Sequence, residues 1–451
     1  MIRIYGLERD NLLKLLIPKE RNRYLFYALF ALNVLLLFCN YALNVSIPFV
    51  VFIVILALAA FLGDMDELIS VCICCIAWSQ AIKWHYVVIF CCLILVIKYG
   101  RKIKPDVGII PIVLIVIWEF LHCFSSGANL KNMVSFVFLY VFFVFLFFIR
   151  DMKTMDYTFI MRNFAIAVFS VCCILMLRLL VHSNFNFNVA FFNMQRLGLT
   201  DEEIGGMVIN PNSLGVLCVL AVGCLMQIRT AGEKKTTDML LMVLILVLGA
   251  LTCSRTYLVC LLILCVFLLV TSNGGLRKKL EFLLSVVLVL VISLTLMYLI
   301  FPETLNMFIQ RFNVDDISNG RNALFSAYNV YIFSSVKSLI WGLGSINLGE
   351  KVLDLSISDN VPHNGIQEIM VAWGIIGLLL FIGMTFVMIR RSKQENPHQS
   401  WTNYALLIVL LAKIMVGQVV TSNYTMLSFA LIYLSLCHDC SGKVLDKHVY
   451  K

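Results

Sequence analysis

The sequence is dominated by uninterrupted apolar runs of roughly 17 to 20 residues, each long enough to cross the hydrocarbon core of a bilayer. Such runs leave few folds open. Lipid offers no water to the backbone, so a spanning segment pairs its N–H and C=O groups within itself as a helix, or with neighbours in a closed barrel. The runs are apolar throughout rather than alternating, which argues against a barrel. Hydrophobic residues make up 61% of the chain and charged residues 14%, too little polar surface for a soluble globule. The expected class is an all-α polytopic membrane protein with about 12–14 transmembrane helices.

The predicted spans are 24–43, 47–63, 68–82, 84–98, 107–124, 132–149, 163–181, 207–228, 238–253, 256–272, 281–301, 365–389, 402–421 and 424–438. The third and fourth are short enough to form a single re-entrant hairpin. Segment 1–23 is basic and precedes a full-length apolar run with no small-residue cleavage site, so it reads as a cytoplasmic start anchor. The remaining organisation is 24–206, helices and an external loop; 207–390, a core with an external loop at 302–364; and 391–451, the last helices and a cytoplasmic tail.

With both termini inside, the inner segments carry about 25 Lys and Arg and the outer ones about eight, as the positive-inside rule requires. The acidic turn Asp64-Met65-Asp66-Glu67 is the one inner loop that no cation supports. The formal charge of +9 is explained by basic loops facing anionic lipid, and no nucleic-acid partner is implied. The 16 cysteines lie mostly inside apolar runs, where they pack as small hydrophobes, and the long outer loops hold none. Cys72-Ile-Cys74-Cys75 is a poor metal site, and Gly342-Leu343-Gly344 lacks the context of a nucleotide fingerprint.

Against this bias, Arg196, Arg255, Arg311, Arg321 and His363 fall on the outer side, and Arg178 sits just inside a helix end facing them. Cations kept there point to an anion held at the outer surface, a phosphate-bearing and lipid-borne substrate. Arg255 stands between two apolar spans, where its guanidinium fork suits a phosphate; the alternative is a snorkelling interface residue. Arg321 begins an expected helix, a favourable anion position; the alternative is a solvated loop charge. Arg311 has Asp315 and Asp316 near enough to pair with it. His363, followed by Asn364 at the mouth of the twelfth span, would titrate near neutrality as a base or phosphate donor. Arg178, with Glu119 and His122, is an intramembrane ionisable candidate, although an Arg–Glu structural pair accounts for it equally well. Asn210-Pro211-Asn212 reads as a capped, bent entry to the eighth span. The aromatic-rich stretch of the long outer loop suggests a helix lying on or dipping into the membrane.

The order Asn210-Pro-Asn-Ser-Leu-Gly215, Ser254-Arg255-Thr256, Gly320-Arg321, Trp341-Gly-Leu-Gly344, Pro362-His363-Asn364-Gly365 and Trp373-Gly-Ile-Ile-Gly377 resembles the O-antigen ligase and polymerase superfamily, over roughly residues 205 to 390. The resemblance implies a GT-C-like integral membrane glycosyltransferase of the bacterial plasma membrane. Its donor would be a glycan on polyprenyl pyrophosphate, handled on the outer face by inverting transfer without metal or other cofactor. Arg255 and Arg321 would hold the pyrophosphate, and His363 would act as base or pyrophosphate contact. Arg178, Arg196, Arg311 and Asn364 are added as substrate-binding residues from charge and placement. A flippase and a chain-length regulator are implied as partners, beside the lipid bilayer and the lipid-linked oligosaccharide.

Three functions are then expected in descending order. The first is a polymerase of lipid-linked repeat units in O-antigen, capsule or exopolysaccharide synthesis. The second is a ligase moving finished glycan to a lipid or wall acceptor. The third is a flippase or transporter, disfavoured because the cations gather at outer helix ends and Lys413 is the main charge deeper in a span.

Overall fold

The computed structural model describes residues 19–100, 107–126, 155–186, 196–198, 209–233, 235–271, 321–358, 360–420 and 423–438, with scattered helical positions between. Its helices are α1 (Lys19–Tyr41), α2 (Phe49–Leu62), α3 (Met65–Ala77), α4 (Trp84–Tyr99), α5 (Ile110–Ser126), α6 (Tyr157–His182), α7 (Pro211–Thr230), α8 (Thr236–Ala250), α9 (Arg255–Thr271), α10 (Arg321–Phe333), α11 (Val336–Ile340), α12 (Leu348–Asp354), α13 (Gly365–Glu395), α14 (Ala405–Val416) and α15 (Asn423–Cys437). Among the described residues there is no strand. Five stretches are long and apolar enough to cross a membrane: Asn22–Tyr41, Val107–Ser125, Tyr157–His182, Pro211–Thr230 and Gly365–Glu395. Shorter apolar helices accompany them, and the protein is an all-α polytopic membrane protein. The predicted spans 132–149 and 281–301 lie largely outside the described residues.

Burial separates two kinds of apolar helix. From Leu68 to Trp78, α3 is buried on every side, and α15 is buried from Tyr424 to Cys437. A helix that is apolar all round belongs in the interior, so these segments face protein rather than lipid. The 13 residues of α3 make it about 20 Å long, and a turn over 78–83 separates it from α4.

Charge pairs fix which helix ends lie together. The Arg23 guanidinium reaches Asp156 at 2.7 Å, Asp66 at 3.7 Å and Glu67 at 3.8 Å. The acidic turn that no neighbouring cation supported is therefore the counter-charge of the first helix. Arg162 grips Asp238 through Nε at 2.8 Å and Nη2 at 2.9 Å, and Glu233 at 3.3 Å. These contacts gather the starts of α1, α6 and α8 at one end of the bundle, while Arg255 and Arg321 open helices at the opposite end.

The longest helix is broken for a reason that the glycine motifs explain. Within α13, Gly374 has φ 66° and ψ −167°, a conformation that L side chains avoid. A Cβ there would lie 2.1 Å from the Ile340 carbonyl oxygen. The break frees carbonyls that must find partners in a buried setting. Leu343 N donates to Val371 O at 2.8 Å, Gly344 N to Ala372 O at 2.6 Å, and Trp118 Nε1 to Trp373 O at 3.0 Å. Gly342 and Gly344 also have positive φ, and a Cβ on Gly342 would sit 2.7 Å from the Ala372 backbone. Trp341-Gly-Leu-Gly344 and Trp373-Gly374 are thus two halves of one backbone-to-backbone clasp.

Candidate functional site

Three helix starts carry the site. Arg255 is the first residue of α9, Arg321 the first of α10, and His363 with Asn364 immediately precede α13. Each start presents backbone N–H groups that have no partner within their own helix, and the positive pole of that helix. A cation at such a position gains nothing from its own helix, and three together repel one another.

The first start is built on α7. Asn210 Oδ1 accepts from Asn212 N at 2.9 Å, with Pro211 occupying the first helical position. Asn212 Oδ1 in turn accepts from Ser254 Oγ at 2.7 Å, and Ser254 Oγ caps α9 by accepting from Tyr257 N at 3.2 Å. Gly215 makes the approach possible, since a Cβ there would lie 2.7 Å from Tyr257 Cβ. Arg196 braces the same turn: Nε donates to Thr252 O at 2.9 Å and Nη2 to Asn212 Oδ1 at 3.1 Å. Leu197 N adds a bond to Leu251 O at 2.9 Å. Cys253, at φ 47°, completes a turn over 251–254 that places Arg255 inside the helix rather than between helices.

The second and third starts rest on α14. Arg321 Nη1 approaches Val416 O at 3.5 Å, and Asn364 Nδ2 donates to Met415 O at 3.1 Å. Asn364 is also the N-cap of α13, its Oδ1 accepting from Ile366 N at 3.0 Å and Gln367 N at 3.2 Å. Gln367 ties α10 to α13 through Phe325 O and Asn329 Oδ1, both at 2.8 Å.

The electrostatics follow from this geometry. Burial and the neighbouring Arg255 guanidinium both lower the Arg321 pKa. Burial and Arg321 both lower the His363 pKa below its ordinary 6.5. Among the described residues, the charged groups acting on Arg321 and His363 are themselves cationic. A half-exposed cation cluster of this kind raises the local concentration of anions, which makes it the candidate site. With His363 neutral, the arrangement offers two guanidinium forks for an anion and an imidazole able to take a proton.

The other predicted residues have different surroundings. Arg178 is buried near the end of α6 with Tyr41 as an electrostatic neighbour, and Tyr41 Oη donates to Ala81 O at 2.5 Å. Arg311 lies outside the described residues. Glu119, weighed as a partner for Arg178, is engaged with the clasp. Its carboxylate accepts from Ser345 N at 3.0 Å, Ile346 N at 3.1 Å and Trp373 Nε1 at 2.5 Å. His122 places one ring nitrogen 2.8 Å from Trp118 O and the other 2.9 Å from Trp341 O.

Glu368 was not singled out in the sequence, yet it anchors backbone that follows the Arg321 and Asn364 contacts. Fully buried one turn inside α13, it accepts from Val419 N and, at 3.0 Å, from Val420 N. Lys413, also buried, donates to Gln418 O and Thr425 Oγ1 and lies 4.9 Å from the Tyr424 ring centroid. Together they hold the irregular backbone between α14 and α15, the segment following the carbonyls on which Arg321 and Asn364 rest. A charged residue early in an apolar helix was the available signal; Lys413, in the last turn of α14, was legible as a charge within an apolar run.

Residues 240–382 match the family model described as O-antigen ligase. The matched stretch contains Arg255, Arg321, His363 and both halves of the glycine clasp. No curated protein matches the chain.

Proposed function

We propose, from the match of residues 240–382 to the O-antigen ligase family model, that the chain transfers glycan from a polyprenyl pyrophosphate donor to a sugar hydroxyl. The observation that carries this reading is the convergence of Arg255, Arg321 and His363, whose mutual repulsion an anion would relieve. In the proposed reaction the acceptor oxygen attacks the anomeric carbon as its proton passes to neutral His363. The bond from that carbon to the pyrophosphate oxygen breaks with inversion, and the leaving pyrophosphate takes the electron pair. Arg255 and Arg321 stabilise the charge developing there, as fixed donors aimed at a developing anion do. Arg196 and Asn364 position these groups by holding the turn before α9 and the start of α13.

The proposed setting is a bacterial plasma membrane with both termini cytoplasmic and the site on the external face, following the charge asymmetry of the loops. The proposed acceptor is the next lipid-linked repeat unit, making the protein a surface-polysaccharide polymerase. The matched family, described as O-antigen ligase, favours a second reading, ligation of finished glycan. Sizing lipid-linked intermediates in cells lacking the protein separates them. Single repeats accumulating on lipid would establish chain growth. Full-length chains stranded on lipid would establish ligation, and intermediates trapped on the cytoplasmic leaflet would remove both.

The lowered His363 pKa gives a further expected result. If neutral His363 is the base, kcat/KM rises with pH through an acid limb whose midpoint lies below 6.5. Removing the Arg321 charge relieves the repulsion of imidazolium, so the residual activity of Arg321→Gln should titrate at higher pH than wild type. An acid limb above 6.5 in the wild type, or one that Arg321→Gln moves downward, would exclude His363 as the base.

A further inference from the structure

The external-loop helices α10 and α11 expose an apolar patch that spanning a membrane does not require. Val330 is 74% exposed, Phe333 72%, Val336 72% and Ile340 40%. The patch continues a stripe on α13 formed by Ile375, Leu379, Ile382 and Phe386, all exposed at helical spacing along a membrane-crossing helix. The two surfaces meet where α11 ends against the break in α13, since a Cβ on Gly374 would lie 2.1 Å from Ile340 O.

Depth follows from helix geometry. The apolar stretch of α13 ends at Arg390-Arg391. About 20 helical residues cover ~30 Å of hydrocarbon, which places the opposite boundary near Met370. Gly374 lies inside that limit, and with it the end of α11. Tilt of the helix would take Gly374 deeper still.

The polar groups of this stretch are paired as lipid demands. Ser334 Oγ donates to Tyr331 O at 2.7 Å, Ser338 Oγ to Ser335 O at 2.9 Å, and Ser335 Oγ accepts from Ser338 N at 3.0 Å. The unwound backbone that follows is bonded to α13 at Val371 and Ala372. Irregular backbone persists at membrane depth only when it is satisfied by protein in this way.

We propose that the C-terminal turn of α10 together with α11 is re-entrant, with Val330, Phe333, Val336 and Ile340 seated among the acyl chains of bilayer lipid in the leaflet on the site's side. Lys337, exposed beside Val336, reaches back toward the headgroups. The start of α10, with Arg321, then stands close to headgroup level, where the pyrophosphate of a lipid-borne molecule would lie.

The test is photo-crosslinking of the full chain in phosphatidylcholine nanodiscs containing an alkyne-tagged phosphatidylcholine. p-Benzoylphenylalanine is installed singly at Phe333, Val336, Leu379 as the lipid-facing reference, and Asn322 as the water-facing one. Phe333 and Val336 are expected to yield lipid adducts at the level of Leu379, and Asn322 little. Covalent dimers from Phe333 or Val336 would instead make the patch a contact between two copies. Adducts no greater than those from Asn322 would make it a water-exposed face. Either result overturns the proposal. The readout needs no donor, so its failure is distinguishable from failure of the transferase reading.

Discussion

Arg321→Ala is expected to lower glycan transfer by about 100- to 1,000-fold, the loss typical of removing one preorganised donor from a developing anion, while leaving the folded protein at least as stable as wild type. The two halves of this expectation have one cause. Arg321 is exposed beside Arg255, whose charge opposes its own, and its contact with the Val416 carbonyl is long at 3.5 Å. Removing such a charge relieves a repulsion, so its loss should show in anion binding rather than in folding. Arg321→Lys keeps the charge but loses the two-pronged geometry, so it should fall between alanine and wild type. The measurement is transfer from lipid-linked donor in membranes with matched protein amounts, beside a thermal unfolding curve of the purified variant. Near-wild-type transfer by Arg321→Ala would take the residue out of the site. A large drop in stability would make it a structural brace.

Glu119→Ala should do the reverse, with stability lost first and activity lost as its consequence. The Glu119 carboxylate is fully buried and receives two backbone N–H groups and the Trp373 indole. Truncation orphans three buried donors at about 1–3 kcal/mol each, on the order of 5 kcal/mol in total. Those donors belong to the clasp that satisfies the broken α13, so the damage should spread to the segment carrying His363. Glu119→Gln keeps an acceptor for the Ser345 and Ile346 amides but turns an NH₂ group toward Trp373, so a milder loss is expected. Thermal unfolding in detergent with an indole-sensitive fluorescence readout would resolve the series. Wild-type unfolding of Glu119→Ala would mean that the clasp holds without its carboxylate.

The two residues mark the boundary between local and tertiary information. Arg321 was legible as the first residue of a helix because charge beside the onset of an amphipathic stretch is a local signal, and α10 begins there. Arg255 stood out because a guanidinium between apolar runs is conspicuous. The Asn210-Pro211-Asn212 entry was recognisable for the same reason, and its role is the architectural one, holding Ser254. The helical class was determined most firmly of all, because the bilayer admits so few alternatives to an apolar run.

Partners were decided only by the fold. Glu119 finds Ser345 across 226 positions of sequence, and Arg23 finds Asp156 across 133. Apolar periodicity says which residues share a helix face but not which helix covers it. The sequence by itself therefore determined a bundle of membrane helices with cations gathered at one set of helix starts. The tertiary structure decided that Arg255, Arg321 and His363 meet, that Arg196 braces a turn, and that Glu119 serves the clasp. The physical reason lies in α13: its break at Gly374 leaves carbonyls that a distant glycine loop and the Trp118 indole satisfy, and that long-range pairing ties the Trp341–Gly344 segment to the helix that His363 precedes.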